Sequence, residues 1–182
     1  MSSLTHARRL LILASICACA PRTSETPALT ATPPTILTTN RIIEGDRPRS
    51  SVTTMAVPPA MVWPVAKKVY QALGIEVAIE DPATHRIGNQ SFWKIGRLAG
   101  RRLSEFVDCG TSMTGRKADS YRIYMSVLTL INPDGLGGTK VETLFLPVGQ
   151  DVAGGSSDRV PCGSTGELET TINESIRATL GK

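Results

Sequence analysis

The chain has 182 residues, of which 41% are hydrophobic and only 4% aromatic, with 20 lysines and arginines against 16 aspartates and glutamates. That length has room for one domain plus extras. The formal charge of +4, which falls to +2 once Arg8 and Arg9 are removed with the leader they belong to, is too weak a bias for a nucleic-acid-binding domain.

The chain opens with a targeting pattern. His6, Arg8 and Arg9 form a short positive region, and Leu10 to Ala18 is an apolar run interrupted only by Ser15. Such a run falls well short of the ~20 residues that a membrane-spanning helix needs. It reads as the core of a signal peptide. Ile16-Cys17-Ala18-Cys19 then resembles the lipobox of bacterial lipoproteins, with a branched aliphatic at −3, a small residue at −1 and cysteine at +1. The resemblance implies that residues 1–18 are cleaved and that Cys19 carries a diacylglyceryl group. Cys17 fits poorly as the modified residue, because Ile16 would occupy its −1 position. Ala20 stands where the family's inner-membrane retention signal has aspartate, so the resemblance implies the bacterial outer membrane. The alternative is an ordinary secretory signal cut near Ala18 or Ala20.

Residues 19–51 read as a tether. Pro21, Pro27, Pro33, Pro34 and Pro48 lie among threonines, serines and alanines with little apolar periodicity. Such a composition cannot bury enough surface to offset its ordering entropy. Its typical reach is roughly 30 Å. Ile42 and Ile43 are its apolar spot, read either as linker or as a short edge strand docked on the domain.

Residues 52–182 read as one domain. A first strand over Val52–Val57 leads into a helix opened by Pro58 and Pro59, which suit a first turn. Met61, Val62, Val65, Val69 and Leu73 recur at helical spacing, flanked by Trp63 and Tyr70, and Gly74 suits a C-terminal cap. Ile75, Val77 and Ile79 then alternate as a half-buried strand does, and Ile87–Ile95 is its hairpin partner, with Phe92 and Trp93 on opposite faces. Arg97–Asp108 has a crude helical face, and Gly110–Asp119 is a polar loop. Tyr121–Ile131 and Val141–Val148 form a second hairpin around Asn132-Pro133-Asp134-Gly135, whose chemistry makes a turn. After a loop over Asp151–Pro161, Ser164 and Glu167 match a capping box. Leu168, Ile172, Ile176 and Leu180 then give the last helix a narrow apolar stripe.

The expected fold is therefore α+β: a two-layer antiparallel sheet covered on one face by two main helices, in the order β-α-β-β-(α)-β-β-α. The core candidates are Trp63, Tyr70, Leu73, Val77, Ile79, Phe106, Ile123, Val127, Leu144, Leu146, Leu168, Ile172 and Ile176.

Cys109 and Cys162 both precede glycine at loop junctions. In an exported protein a structural disulfide is the default reading; unpaired thiols and a redox pair are the alternatives. Few residues invite catalysis. His85 sits in a turn beside Asp81 and Thr84 and reads as a solvated surface residue. Glu80 and Asp81 are adjacent and diverge on a strand. A single histidine in the mature chain excludes the common zinc patterns. The glycine-rich run Asp134–Gly138 joins strands and does not open a helix, so it is a hairpin loop and not a phosphate cradle. Lys94, Arg97, Arg101 and Arg102 form a basic cluster, read either as a solvated face or as a patch for lipid phosphates, lipopolysaccharide or an acidic partner. No metal or cofactor is expected.

The lipobox, the polar tether and Val-Trp-Pro-Val-Ala-Lys-Lys-Val-Tyr-Gln-Ala-Leu-Gly-Ile-Glu-Val-x-x-Glu-Asp together resemble the lipoprotein subunit of the outer-membrane β-barrel assembly machine. That resemblance covers about 25 residues plus the order of elements. It implies a helix-grip fold type and carries no site residue. Two function classes follow. One is a non-enzymatic, membrane-tethered binding or assembly module of the envelope, with a lipid anchor and an envelope protein as possible partner and no nucleic acid. The other is a small periplasmic enzyme or ligand carrier with its site between helix and sheet.

Overall fold

Residues 50–154 and 157–181 are described by the structure, a computed structural model. The leader, Cys19 and the tether through Arg49, with Ile42 and Ile43, lie outside these residues; Ser50 and Ser51, read as the end of the tether, are strand. In chain order the principal elements are strand β1 (Ser50–Met55), helix α1 (Pro59–Ala72) and strands β2 (Ile79–Asp81) and β3 (Arg86–Ile95). The short helices α2 (Leu103–Phe106) and α3 (Lys117–Ser120) follow, then strands β4 (Arg122–Pro133), β5 (Thr139–Gln150) and β6 (Arg159–Pro161), and helix α4 (Glu167–Leu180).

The long hairpin β4–β5 is the spine of a six-stranded antiparallel sheet with strand order β1-β5-β4-β3-β2. β1 and β6 share the outer edge of β5, β1 against Thr139–Leu144 and β6 against Val148–Gln150. The hairpin turn forms because Asp134 Oδ1 accepts from the amides of Leu136 and Gly138, both at 2.8 Å, while Gly135 and Gly137 supply the positive φ angles that the reversal needs. β3 pairs with β4 through a bulge between Asn89 and Phe92. Asn89 completes the bulge by accepting from the Ser91 amide and donating to the Glu76 carbonyl, each at 2.9 Å.

Strand dominates the described part of this molecule, which corrects the expected helix-covered α+β arrangement and its simple element order: 45% of the described residues are strand and 28% helix, with four helices and a large antiparallel sheet among them, so it is mostly a sheet fold. Segments read as helix or loop are partly extended. Arg97–Asp108 does not form one helix. Gly96, Ala99 and Gly100 take φ of 73°, 52° and 77°, which breaks any helical run and folds Arg97–Leu98 back on Arg101–Arg102 as a two-residue ladder ahead of α2. The expected loop after Gly110 contains a second such ladder, Thr111–Ser112 with Gly115–Arg116, followed by α3. The loop before α4 contains β6. The expected strand from Ile75 is ordered as strand only at Ile79–Asp81.

Helices α1 and α4 pack against each other and against one face of the sheet. Val62, Ala66, Val69 and Tyr70 from α1 meet Leu168, Ile172 and Ile176 from α4 in the same core as Ile123, Val127, Ile131, Val141 and Phe145 of the central strands. Full burial of one such aliphatic or aromatic side chain contributes ~1.5–3 kcal/mol. The start of α4 is built otherwise than a capping box. Gly166 is the N-cap, with φ 88°, and no side chain caps the helix there. Ser164 Oγ instead accepts from the Gly166 amide and donates to Glu169 Oε1 at 2.7 Å, and Thr165 Oγ1 accepts from the Glu167 amide.

The segment between β3 and β4 is fastened to the start of α4. Cys109 and Cys162 form a disulfide with Cα atoms 4.4 Å apart. Val107 and Asp108 pair with Ser164 and Gly163, and Thr165 both donates its amide to the Phe106 carbonyl and its hydroxyl to the Glu105 carbonyl.

Candidate interaction surface: the open face of the sheet

Side chains alternate across a strand, so the odd-numbered residues of β4 and β5 face the helices and the even-numbered ones face away. The helix side is closed. Thr129, Thr143, Asn173 and Tyr70 are all fully buried there and form one hydrogen-bonded chain. Tyr70 Oη lies 2.9 Å from Thr129 Oγ1, which lies 2.8 Å from Thr143 Oγ1; Thr143 donates to Asn173 Oδ1 at 2.7 Å, and Asn173 Nδ2 donates to the Ser51 carbonyl at 2.8 Å. Burial pushes the Tyr70 phenol far above its ordinary range, the hydrogen bond to Thr129 opposing only in part, so it stays neutral.

The other face is open. Leu128, Leu130, Leu144 and Leu146 form its aliphatic centre, with Leu144 opposite Leu128 and Leu146 opposite Ser126 in register. Leu128 is buried, the other three are half-buried, and none belongs to the main core, because the sheet lies between. The two core candidates Leu144 and Leu146 are therefore on the wrong side of β5. That strand is apolar on both faces, and the inward phase is Val141, Thr143 and Phe145.

At one end of this face two rows cross the sheet. Pro161, Val148, Tyr124 and Trp93 make one row; Arg159, Gln150, Arg122 and Ile95 make the next. The Arg122 guanidinium sits 4.8 Å from the centre of the Trp93 ring, and that of Arg159 sits 4.1 Å from the centre of the Tyr124 ring. Both contacts are of cation–π geometry. Tyr124 Oη donates to Gln150 Oε1 at 2.9 Å. The hydrogen bond from Arg122, followed by the positive charges of Arg122 and Arg159, lowers the Tyr124 phenol from its ordinary range. Among the described residues no ion pair involves Arg122 or Arg159, and Arg122 Nε is buried without a hydrogen-bond partner. Trp93 is 53% exposed and Ile95 47%. Counting by register, Arg86, Arg122, Arg159 and Lys140 point to this face against two carboxylates, Asp81 opposite Arg86 and Glu142, which pairs with Lys140 at 3.5 Å.

The residues singled out from sequence have other placements. Lys94 is on β3 opposite Ile123, and Arg97 is opposite Arg102 in the short ladder. Arg101 is committed to Glu105 at 2.8 Å and Glu167 at 3.1 Å and stacks over Phe106. Those two carboxylates raise its pKa, the hydrogen bond to Glu105 contributing most. Asp81 serves its own turn. Its carboxylate accepts from the hydroxyl and amide of Thr84 and the amide of Ala83, and these bonds, the Thr84 hydroxyl first, hold it below the usual carboxylate range. Glu80 pairs with Lys67 at 2.8 Å. His85 occupies the same turn with φ 57°. No group of three or more metal-ligating side chains occurs among the described residues, and no described helix is long and apolar enough to cross a membrane.

The Arg–aromatic rows escaped the reading of the sequence. The signal was present in the even positions Arg122 and Tyr124, which a strand must place opposite Ile123 and Met125, but only the hairpin registers bring them beside Trp93 and Arg159. No protein-family model matches the chain, and no curated protein matches it.

Proposed function

We propose that the protein is a lipid-tethered, non-enzymatic binding module of the bacterial cell envelope, on the outer membrane, with residues 1–18 as leader, Cys19 as the acylated N-terminus and the folded part as a platform whose open sheet face meets its partner. The observation that carries the reading is the contrast between the two faces. One is sealed by α1 and α4 over a hydrogen-bonded interior, and the other leaves half-buried leucines and two ring-stacked arginines without a cover among the described residues. A contiguous apolar surface rimmed by polar groups marks an interaction site. The Cys109–Cys162 bridge supports an oxidising compartment, where such bonds persist.

The competing reading placed a ligand between helix and sheet. That layer is filled by Tyr70, Thr129, Thr143 and Asn173, which satisfy one another. Of the carboxylates considered for acid–base work, Glu80 holds Lys67 and Asp81 holds its turn.

The test is membrane fractionation of Cys19→Ala beside the unaltered chain, with labelled fatty acid. The variant is expected to lose the label and to leave the membrane pellet after salt and carbonate washes. A variant that keeps the label, or stays in the pellet, contradicts the anchor.

A further inference from the structure

We infer that the occupant of the open sheet face is an anionic lipid surface, with the Arg122–Trp93 and Arg159–Tyr124 pairs at the headgroup level and the neighbouring leucines on its apolar side. This rests on the lipid-tethered reading above, because the tether keeps the domain within reach of a bilayer. Three observations carry it.

The first is charge. Arg122 and Arg159 have no acidic partner among the described residues, and the face as a whole carries four cations against two carboxylates, Asp81 and Glu142, neither of which pairs with these arginines. Guanidinium groups are weakly hydrated and suit phosphate oxygens, and an anionic leaflet attracts such groups over about one Debye length.

The second is the side-chain chemistry. Trp93 and Tyr124 present an apolar ring beside a polar group, the combination enriched at membrane–water boundaries. Trp93 and Ile95 are about half exposed beside Arg122, and Arg122 Nε is buried with no partner.

The third is the backbone. β4 is hydrogen-bonded to β3 and β5 on its two edges, and β5 to β4 on one edge and to β1 and β6 on the other. A peptide laid over this face therefore has no ladder to extend, whereas strand addition is how sheets commonly take peptides. A face made of side chains, with its backbone groups already paired, suits a lipid surface better.

The experiment uses the full chain carrying Cys19→Ala, so that binding cannot come from acylation. The chain has two tryptophans, Trp63 and Trp93. In a Trp63→Phe background, Trp93 fluorescence is followed with vesicles rich in phosphatidylglycerol and with pure phosphatidylcholine, each with brominated acyl chains. The expected result is quenching by the anionic vesicles, little by the neutral ones, and weakening by salt. The mirror variant, Trp93→Phe with Trp63 retained, should not be quenched. Arg122→Gln with Arg159→Gln should weaken anionic-vesicle binding about 30-fold, from about 5-fold per lysine or arginine near such a surface.

Because the quenching is read in a protein whose rows are intact, an unstable arginine variant does not leave the inference untested. Quenching of Trp63 in place of Trp93, equal binding to both lipids, no binding at all, or capture of an acidic protein by a chain that ignores vesicles would each overturn it. Failure of the anchor shows in the Cys19→Ala fractionation and failure of the face shows here, so the two are separable.

Discussion

The hydroxyl of Tyr70 reaches the hydroxyl of Thr129, 59 positions away in sequence, at 2.9 Å with no solvent access. The direction of that bond follows from counting protons. Each hydroxyl has one hydrogen. Thr143 spends its own on Asn173 Oδ1, so Thr129 donates to Thr143, and Tyr70 donates to Thr129. The chain is thus one-way, from α1 through both central strands to α4, and ends where Asn173 Nδ2 meets the Ser51 carbonyl of β1.

The direction ranks two substitutions. Tyr70→Phe removes the first donor and leaves Thr129 still bonded to Thr143, so it should cost about 1 kcal/mol, the net worth of one hydrogen bond. Asn173→Ala strands the buried Thr143 hydroxyl, at about 1–3 kcal/mol, and also removes the bond to the half-buried Ser51 carbonyl, worth about 1 kcal/mol. Denaturant melts should show the asparagine variant as clearly the weaker. An equal or reversed order would mean that the chain does not run this way.

The disulfide closes a sequence separation of 53 residues. The chain-entropy model assigns a loop of that size roughly 4 kcal/mol, and native bridges in small exported domains contribute about 2–5. Reduction, or Cys109→Ser with Cys162→Ser, should lower stability by that amount, with hydrogen exchange rising first at the start of α4, which the bridge and Thr165 hold to the α2 segment. The checks are thiol counting and melts with and without reductant. Identical melts would show that the bridge contributes nothing.

Gly88 lies opposite Leu128 of β4, and a Cβ there would stand 2.2 Å from the Val127 carbonyl oxygen. Backbone cannot step aside cheaply. Gly88→Ala should therefore destabilise by about 3 kcal/mol, at the upper end of ordinary overpacking. Gly149→Ala, whose Cβ would meet Cys162 Sγ at 3.0 Å and Tyr121 Cδ2 at 3.1 Å, presses on side chains and should cost less. Melts of the two variants decide the order.

The turn at Asp81 gives a pH dependence of known sign. Its folded carboxylate lies below the ordinary range because Thr84 and Ala83 donate to it. The turn's contribution is thus complete above the unfolded value of ~4 and is lost as pH falls through the lower folded value. An NMR titration should show the Thr84 amide shifting in acid, at a midpoint below that of a free aspartate. A midpoint at or above the free value contradicts the hydrogen bonding.

Local signals in the chain were legible where one periodicity acted alone. The α1 stripe at Val62 and Val69, the α4 stripe at Leu168, Ile172 and Ile176, and the Asp134–Gly138 turn are read directly from residue type and spacing. The balance of strand over helix was not legible, because Gly96, Ala99 and Gly100 turn a weakly helical segment back on itself. The phase of β5 was not legible either. Leu144 and Leu146 look more like core than Thr143 does, yet Thr143 is inward because Thr129 and Asn173 satisfy its hydroxyl. The Arg–aromatic rows needed registers that join residues from four strands, which no local pattern encodes.

The most direct test of the division between a sealed face and a working face is site-specific photo-crosslinking in intact cells. The reactive residue is placed at Leu146 on the open face, and in a second strain at Met61, which is 53% exposed on the far layer. A phospholipid adduct at Leu146 and none at Met61 is the expected result. Adducts at Met61 with none at Leu146 would contradict the open sheet face as the surface through which this protein works.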